Sequence, residues 1–211
     1  MPPAERPLLI GITGNIGSGK TLFCRYLKDY GLSIVSADEV AGRCLLQSDV
    51  VEKLTERYST DILECGEVPV VDRRKLAARV FSDPVETKFL NSLIHPLVLQ
   101  EFSRIVLSCR MSHLVFEVPL LFEAGLQNCF DYLILVYAPL IKRLERLANR
   151  GDNMDSLKRQ KQQLPDEEKL GRVDLIISNL HDPVALQNAA LSFVQSLEQL
   201  KMKEVKPFIN N

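Results

Sequence analysis

The chain of 211 residues is long for one ordinary domain and short for two, so one large core with an inserted subdomain is expected. Its 26 Lys and Arg nearly cancel 27 Asp and Glu, and the formal net charge of -1 excludes a global positive field for nucleic acid or an anionic membrane. Hydrophobic residues at 46% and charged residues at 25% set aside disordered and fibrous classes.

The elements alternate in type along the chain. Leu8 to Ile12 is an apolar run stopped by Thr13 and glycines, which predicts a strand buried on both faces. A helix follows over about 20–30, with Leu22, Phe23, Tyr26 and Leu27 at helical spacing and Gly31 as its C-terminal cap. Leu32 to Val35 reads as the second strand. From Asp38 to about Arg110 the pattern is mostly helical, with Pro69, Pro84 and Pro96 as punctuation and His95-Pro96 marking a joint between helices. Strands resume at Leu114 to Val118 and Tyr132 to Val136, and Val173 to Ile177 is the last. Between these last two, 142–172 is a polar helical stretch with nine basic and six acidic side chains, a local basic excess in a chain that is slightly acidic overall. The final helix, about 183–200, repeats Leu186, Ala190, Phe193 and Leu197 on one face, and beyond Lys201 a frayed tail is expected. Cys24, Cys44, Cys65, Cys109 and Cys129 are scattered without metal or redox spacing and read as reduced thiols. With no apolar segment of signal-peptide or membrane length, a cytoplasmic protein without a membrane partner is expected.

Gly14-Asn15-Ile16-Gly17-Ser18-Gly19-Lys20-Thr21 is a complete GxxxxGK[ST] between a predicted strand and a predicted helix. Its glycines let backbone amides turn inward around a phosphate, and the following helix adds the positive end of its dipole. Lys20 would reach the outer phosphates and Thr21 would ligate Mg²⁺. The loop alone leaves kinase, switch GTPase and motor ATPase open. No Asn-Lys-x-Asp guanine-reading motif occurs, and no basic stripe for a polymer, so a small-molecule phosphotransferase using a nucleoside triphosphate remains.

Further pieces carry a resemblance. They are Ala37-Asp38, Asp72-Arg73-Arg74-Lys75-Leu76 leading to Val80-Phe81, Leu90 to His95-Pro96, Pro119-Leu120-Leu121-Phe122-Glu123, Arg146 with Arg150, Gln163-Leu164-Pro165 with Lys169, and Val173-Asp174 with Asn179. In this order, from Ile10 to about Phe193, the chain resembles the dephospho-CoA kinases, relatives of the nucleoside monophosphate kinases. The resemblance implies an α/β, three-layer P-loop kinase with a five-stranded parallel sheet. The nucleotide-binding core would be 7–37 and 111–200 with a lid at about 142–172, the helical acceptor-binding insertion 38–110, and the tail 201–211. It also implies transfer of the ATP γ-phosphate to the ribose 3′-hydroxyl of 3′-dephospho-CoA. Small-molecule substrates, no nucleic acid, and a monomer or weak homo-oligomer are expected. A kinase of another nucleotide or small alcohol, and a nucleotide-dependent switch, remain as alternatives.

Each implied role has a bland counterpart. Asp38 would orient or deprotonate the attacking hydroxyl, or cap a helix. Where the family often has an Asp two positions earlier, this chain has Ser36. Arg143, Arg146 and Arg150 fall on one helix face, where Arg146 and Arg150 would cover the transferring phosphoryl group. Arg143, where relatives often have Gln, reads better as a solvated face. Glu117 ends a buried apolar run where an acid near the metal belongs, or where a structural ion pair could lie. Arg73, Arg74 and Lys75 offer charge to the acceptor's diphosphate, and each could equally be a solvated side chain. His95 is either a substrate contact or a structural histidine, and Asn179 would read adenine or close a turn.

Overall fold

The computed structural model describes residues 6–64, 66, 69–80, 83–149, 163–180 and 182–209. Arg150 and much of the expected lid, 150–162, lie outside these residues, as does Phe81. The chain divides into two compact units, 1–37 with 105–211, and 38–104.

The first unit is built on five parallel strands in the order β2-β3-β1-β4-β5. They are β1 (Leu8–Thr13), β2 (Ile34–Ser36), β3 (His113–Glu117), β4 (Tyr132–Tyr137) and β5 (Leu175–Ser178). The expected five-stranded parallel sheet is thus present, and β1 is buried at every position because it has neighbours on both edges and cover on both faces. One layer of cover is α1 (Lys20–Asp29) with the C-terminal helix Pro183–Ser196, whose Phe23, Leu27, Leu186, Ala190 and Phe193 pack on Ile10, Ile12, Ile134 and Val136. Gly31 closes α1 as expected: it takes φ 93°, and Leu32 N–H donates to the Leu27 carbonyl at 3.0 Å.

The tail corrects the sequence reading. It is not frayed but packed, with Phe208 buried against Phe116 and Phe130 at ring-centroid distances of 5.5 Å to each. Asp131 anchors it. Fully buried, this carboxylate accepts from Arg6 at 2.6 and 2.9 Å, from Leu9 N–H at 2.8 Å and from Lys203 N–H at 2.7 Å, so Arg6 before β1 and Lys203 of the tail meet at the start of β4. Burial works against the charge of Asp131, but the Arg6 guanidinium and the two amides prevail and hold its pKa below the ordinary carboxylate range.

The second unit holds α3 (Ser48–Tyr58), α4 (Arg73–Val80) and all but the ends of α2 (Ala37–Cys44, entered from β2 without a loop) and α5 (Pro84–Ser108). Val50, Leu54, Ile62, Leu76, Val80 and Ile94 are among its buried apolar side chains. Arg57 of α3 clasps Glu86 of α5 through two 2.7 Å hydrogen bonds and lies 4.3 Å over the Phe89 ring. Contrary to expectation, His95-Pro96 is no joint, since α5 runs through Pro96 for 25 residues. Proline's fixed φ suits a helix, and its penalty of about 3 kcal/mol for a missing N–H and a crowded carbonyl is local. Burial of Ile94 and Phe102 on either side of it outweighs that penalty.

Phe208→Ala should lower unfolding free energy by about 3 kcal/mol in urea titrations. Because the folded pKa of Asp131 is depressed, its contribution is complete above the ordinary Asp value of about 3.9 and is lost as pH falls through the folded value. Asp131→Asn should therefore flatten the acid limb of a stability-versus-pH curve.

Candidate active site

The site begins at the carboxyl end of β1, where Gly14, Gly17 and Gly19 take φ of 151°, 79° and 95° and fold 14–19 into a loop that ends on α1. Two of these glycines are also tightly packed. A Cβ on Gly17 would lie 2.9 Å from the Arg143 carbonyl oxygen, and one on Gly19 would overlap the Asn179 side-chain amide.

At the first turn of α1, Thr21 Oγ1 donates to Glu117 Oε1 at 2.7 Å, and Lys20 Nζ lies 3.8 Å from the same oxygen. Glu117, at the end of β3, is thereby partnered although buried. Burial pushes the nearby Cys24 thiol far above its ordinary pKa and the Glu117 carboxylate pushes it further, so Cys24 is an unreactive core thiol. A hydroxyl and a carboxylate are hard oxygen donors of the kind Mg²⁺ takes, and that ion keeps waters and substrate phosphates as its remaining ligands. Among the described residues no group of three or more His, Cys, Asp or Glu could hold a metal, so a cage made by protein alone does not arise.

The back of the loop is strapped by side chains from far along the chain. Gln163 Oε1 accepts from Ile16 N–H at 2.8 Å while its Nε2 donates to the Pro119 carbonyl at 3.3 Å. Lys169, in α7 (Asp166–Leu170), is fully buried and places its ammonium 2.7 Å from Asn15 Oδ1 and 3.0 Å from Glu123 Oε1. Glu123 Oε1 also accepts from Leu164 N–H at 2.6 Å. Arg146, in α6 (Leu140–Asn149), donates to the Gly17 carbonyl at 3.3 Å and to the Asn179 carbonyl at 2.9 Å. Asn179, just beyond β5, returns Nδ2 to the Ser18 carbonyl at 2.7 Å. Both side chains thus hold the loop's carbonyls.

Arg143 overturns its reading as a solvated side chain. It is 6% exposed and pairs at 3.3 Å with Asp166, whose pKa burial raises against the pull of Arg143 and Lys169. Arg143 Nε and Nη1 and Asp166 Oδ1 have no partner among the described residues. The spacing of Arg143 and Arg146 suggested one shared face. It carried no sign that α7 would bury the first of them.

In the second unit, Asp38 is exposed at the second position of α2, directly after β2, and therefore is not the residue preceding the helix. Arg73 and Arg74 are exposed in the first turn of α4, and Lys75 Nζ donates to the Leu63 carbonyl at 2.8 Å. His95 is exposed on α5.

A parallel sheet with a glycine-rich phosphate loop on its central strand and a lysine in the first turn of the helix that follows define a P-loop nucleotide-binding protein, and its fold is that of the P-loop kinases. Shikimate kinase from Acinetobacter baumannii shares this fold at a TM-score of 0.52 and 14% identity, over 94% of this chain and 97% of that one. The dephospho-CoA kinase family model matches residues 8–183. Dephospho-CoA kinase of Deinococcus radiodurans is 36% identical over 197 residues, which are 91% of this chain and 93% of the relative. The solved dephospho-CoA kinase from Campylobacter jejuni superposes with a TM-score of 0.66 at 26% identity, over 90% of this chain and 97% of that one. The chain belongs to the dephospho-CoA kinase family, as its sequence motifs led us to expect.

Gly19→Ala should weaken ATP binding by at least about 10-fold in a nucleotide titration, because it combines left-handed strain with displacement of Asn179. Lys169→Met, which strips the half-buried Glu123 of its ammonium partner and leaves it only the Leu164 amide, should lower unfolding free energy by about 3 kcal/mol in urea.

Proposed function

We propose that this chain transfers the γ-phosphoryl group of ATP to the ribose 3′-hydroxyl of 3′-dephospho-CoA, giving coenzyme A and ADP. Family membership carries the ATP-dependent phosphorylation of dephospho-CoA in coenzyme A synthesis. The observation that supports the division of labour is the pairing of Lys20 and Thr21 with Glu117 at the mouth of an intact phosphate loop.

The loop amides and the positive end of the α1 dipole receive the β- and γ-phosphates, and Lys20 neutralises charge that spreads over the γ-phosphoryl oxygens in the loose transition state. Thr21 and Glu117 would hold Mg²⁺, which would supply charge neutralisation for the nucleotide phosphates. Asp38 orients the 3′-hydroxyl and accepts its proton, a role worth about 10²-fold or more. Arg146 keeps the loop and Asn179 in register, and Arg150 supplies the cation over the γ-phosphoryl group. The unit 38–104 binds the acceptor, with Arg73, Arg74 and Lys75 offered to its diphosphate and His95 as a further contact. No described helix is long and apolar enough to cross a membrane, and Cys24, Cys44, Cys109 and Cys129 are free thiols, which supports a cytoplasmic setting.

Steady-state ADP release should rise strongly on addition of 3′-dephospho-CoA and stay low with AMP or adenosine. Lys20→Ala should cut turnover by at least about 10²-fold with the fold intact. Asp38→Asn should lower kcat with KM for ATP nearly kept; loss of ATP binding instead would assign Asp38 to the metal.

A further inference from the structure

In α2, Gly42 follows Asp38 by one turn, so the two positions share a face of the helix, about 5–6 Å apart at their side-chain roots. Gly42 is nevertheless buried while Asp38 and Glu39 are exposed. Its cover is Arg73: a Cβ built on Gly42 would lie 2.7 Å from Arg73 Cζ and from Nη1, with Nη2 closer still. The guanidinium therefore occupies the space that any side chain at 42 would need. Asp72 places it there by capping α4. Its Oδ1 accepts from Arg74 N–H at 2.9 Å and Lys75 N–H at 3.1 Å, which makes Arg73 the first residue of the helix. Lys75 spends its ammonium on a backbone carbonyl, whereas Arg73 forms no ion pair among the described residues.

An unpaired guanidinium one helical turn from an exposed carboxylate suits a ligand that offers a phosphoryl group and a hydroxyl at that separation. The adenosine end of 3′-dephospho-CoA does so, because its ribose bears the 3′-hydroxyl and, across one methylene, the 5′-diphosphate. We infer that Gly42 is a specificity-determining residue: its missing side chain seats Arg73 where the guanidinium receives the acceptor's 5′-diphosphate while Asp38 takes the 3′-hydroxyl. The inference rests on the reaction proposed above. A guanidinium fork meets phosphate oxygens bidentately, so where the cation stands, and not its charge alone, sets the distance from diphosphate to carboxylate. Acceptors without the diphosphate gain nothing from it.

The test is Gly42→Ala in the full chain. Alanine suits a helix, and the atoms it displaces are the far end of a flexible side chain, so the melting temperature should be kept or rise. The expected result is a KM for 3′-dephospho-CoA raised about 10-fold or more with KM for ATP unchanged, and a reduced kcat/KM preference for 3′-dephospho-CoA over adenosine. Arg73→Gln should produce the same split, and adding Gly42→Ala to it should change nothing further. An unaltered acceptor KM in Gly42→Ala, equal rises for acceptor and ATP, or additive effects in the double variant would overturn the inference with the reaction intact. Absence of any ADP release in response to 3′-dephospho-CoA from the unaltered chain would overturn reaction and inference together.

Discussion

Lys169 carries its ammonium to a fully buried position and divides it between the Asn15 amide oxygen and the Glu123 carboxylate. A charge in such a place is strongly unfavourable unless paired and hydrogen-bonded, so it commits everything that partners it. Asn15 belongs to the phosphate loop, Glu123 lies beyond β3, and Leu164 donates its amide to that same carboxylate from the chain leading into α7. Three stretches of chain thereby become one rigid backing. Gln163, Arg146 and Asn179 extend it by binding the Ile16 amide, the Gly17 carbonyl and the Ser18 carbonyl. A glycine-rich loop would otherwise sample many conformations. Held this way, its amides are aligned before a phosphate arrives, and the ordering is not drawn from nucleotide binding.

The frame behind that loop is closed from the other end of the sheet. Asp131 joins Arg6 before β1 to Lys203 in the tail, and Phe208 fills the aromatic cluster on Phe116 and Phe130. β1 carries the phosphate loop and β3 carries Glu117, so packing that holds these two strands also holds Lys20, Thr21 and the carboxylate they share. The tail therefore bears on the site through the sheet, since Phe208 packs on Phe116, the residue before Glu117.

The helical unit follows a different logic. Its apolar side chains and the clasp of Arg57 on Glu86 make a stable support, while the side chains that face the proposed acceptor, Asp38 and Arg73, are exposed. Asp72 fixes the start of α4 and Gly42 leaves room on α2, so two short helices present a carboxylate and a guanidinium at a defined spacing. Specificity for the acceptor would then reside in backbone placement and in an absent side chain.

Much of this was legible in the chain itself. The phosphate loop is a local device, eight consecutive residues whose glycines and lysine need only a strand before them and a helix after, so its place was readable from order and spacing. Strand identity followed from short apolar runs, and α1 ended where Gly31 required. Other features depend on residues far apart in the chain, which periodicity does not reveal. Arg143 has the surroundings of a solvated helix residue until α7 brings Asp166 to it, and Phe208 looks like a stray aromatic until Phe116 and Phe130 receive it. Pro96 signals a break, yet α5 continues because burial on both sides outweighs one lost hydrogen bond. The sequence by itself determined the chemistry, since γ-phosphate handling requires residue types in a contiguous order. Only the tertiary structure decided which cations are left to meet substrate, because ion pairing across distant segments consumes Arg143 and Lys169, whereas Arg73 has no carboxylate partner among the described residues.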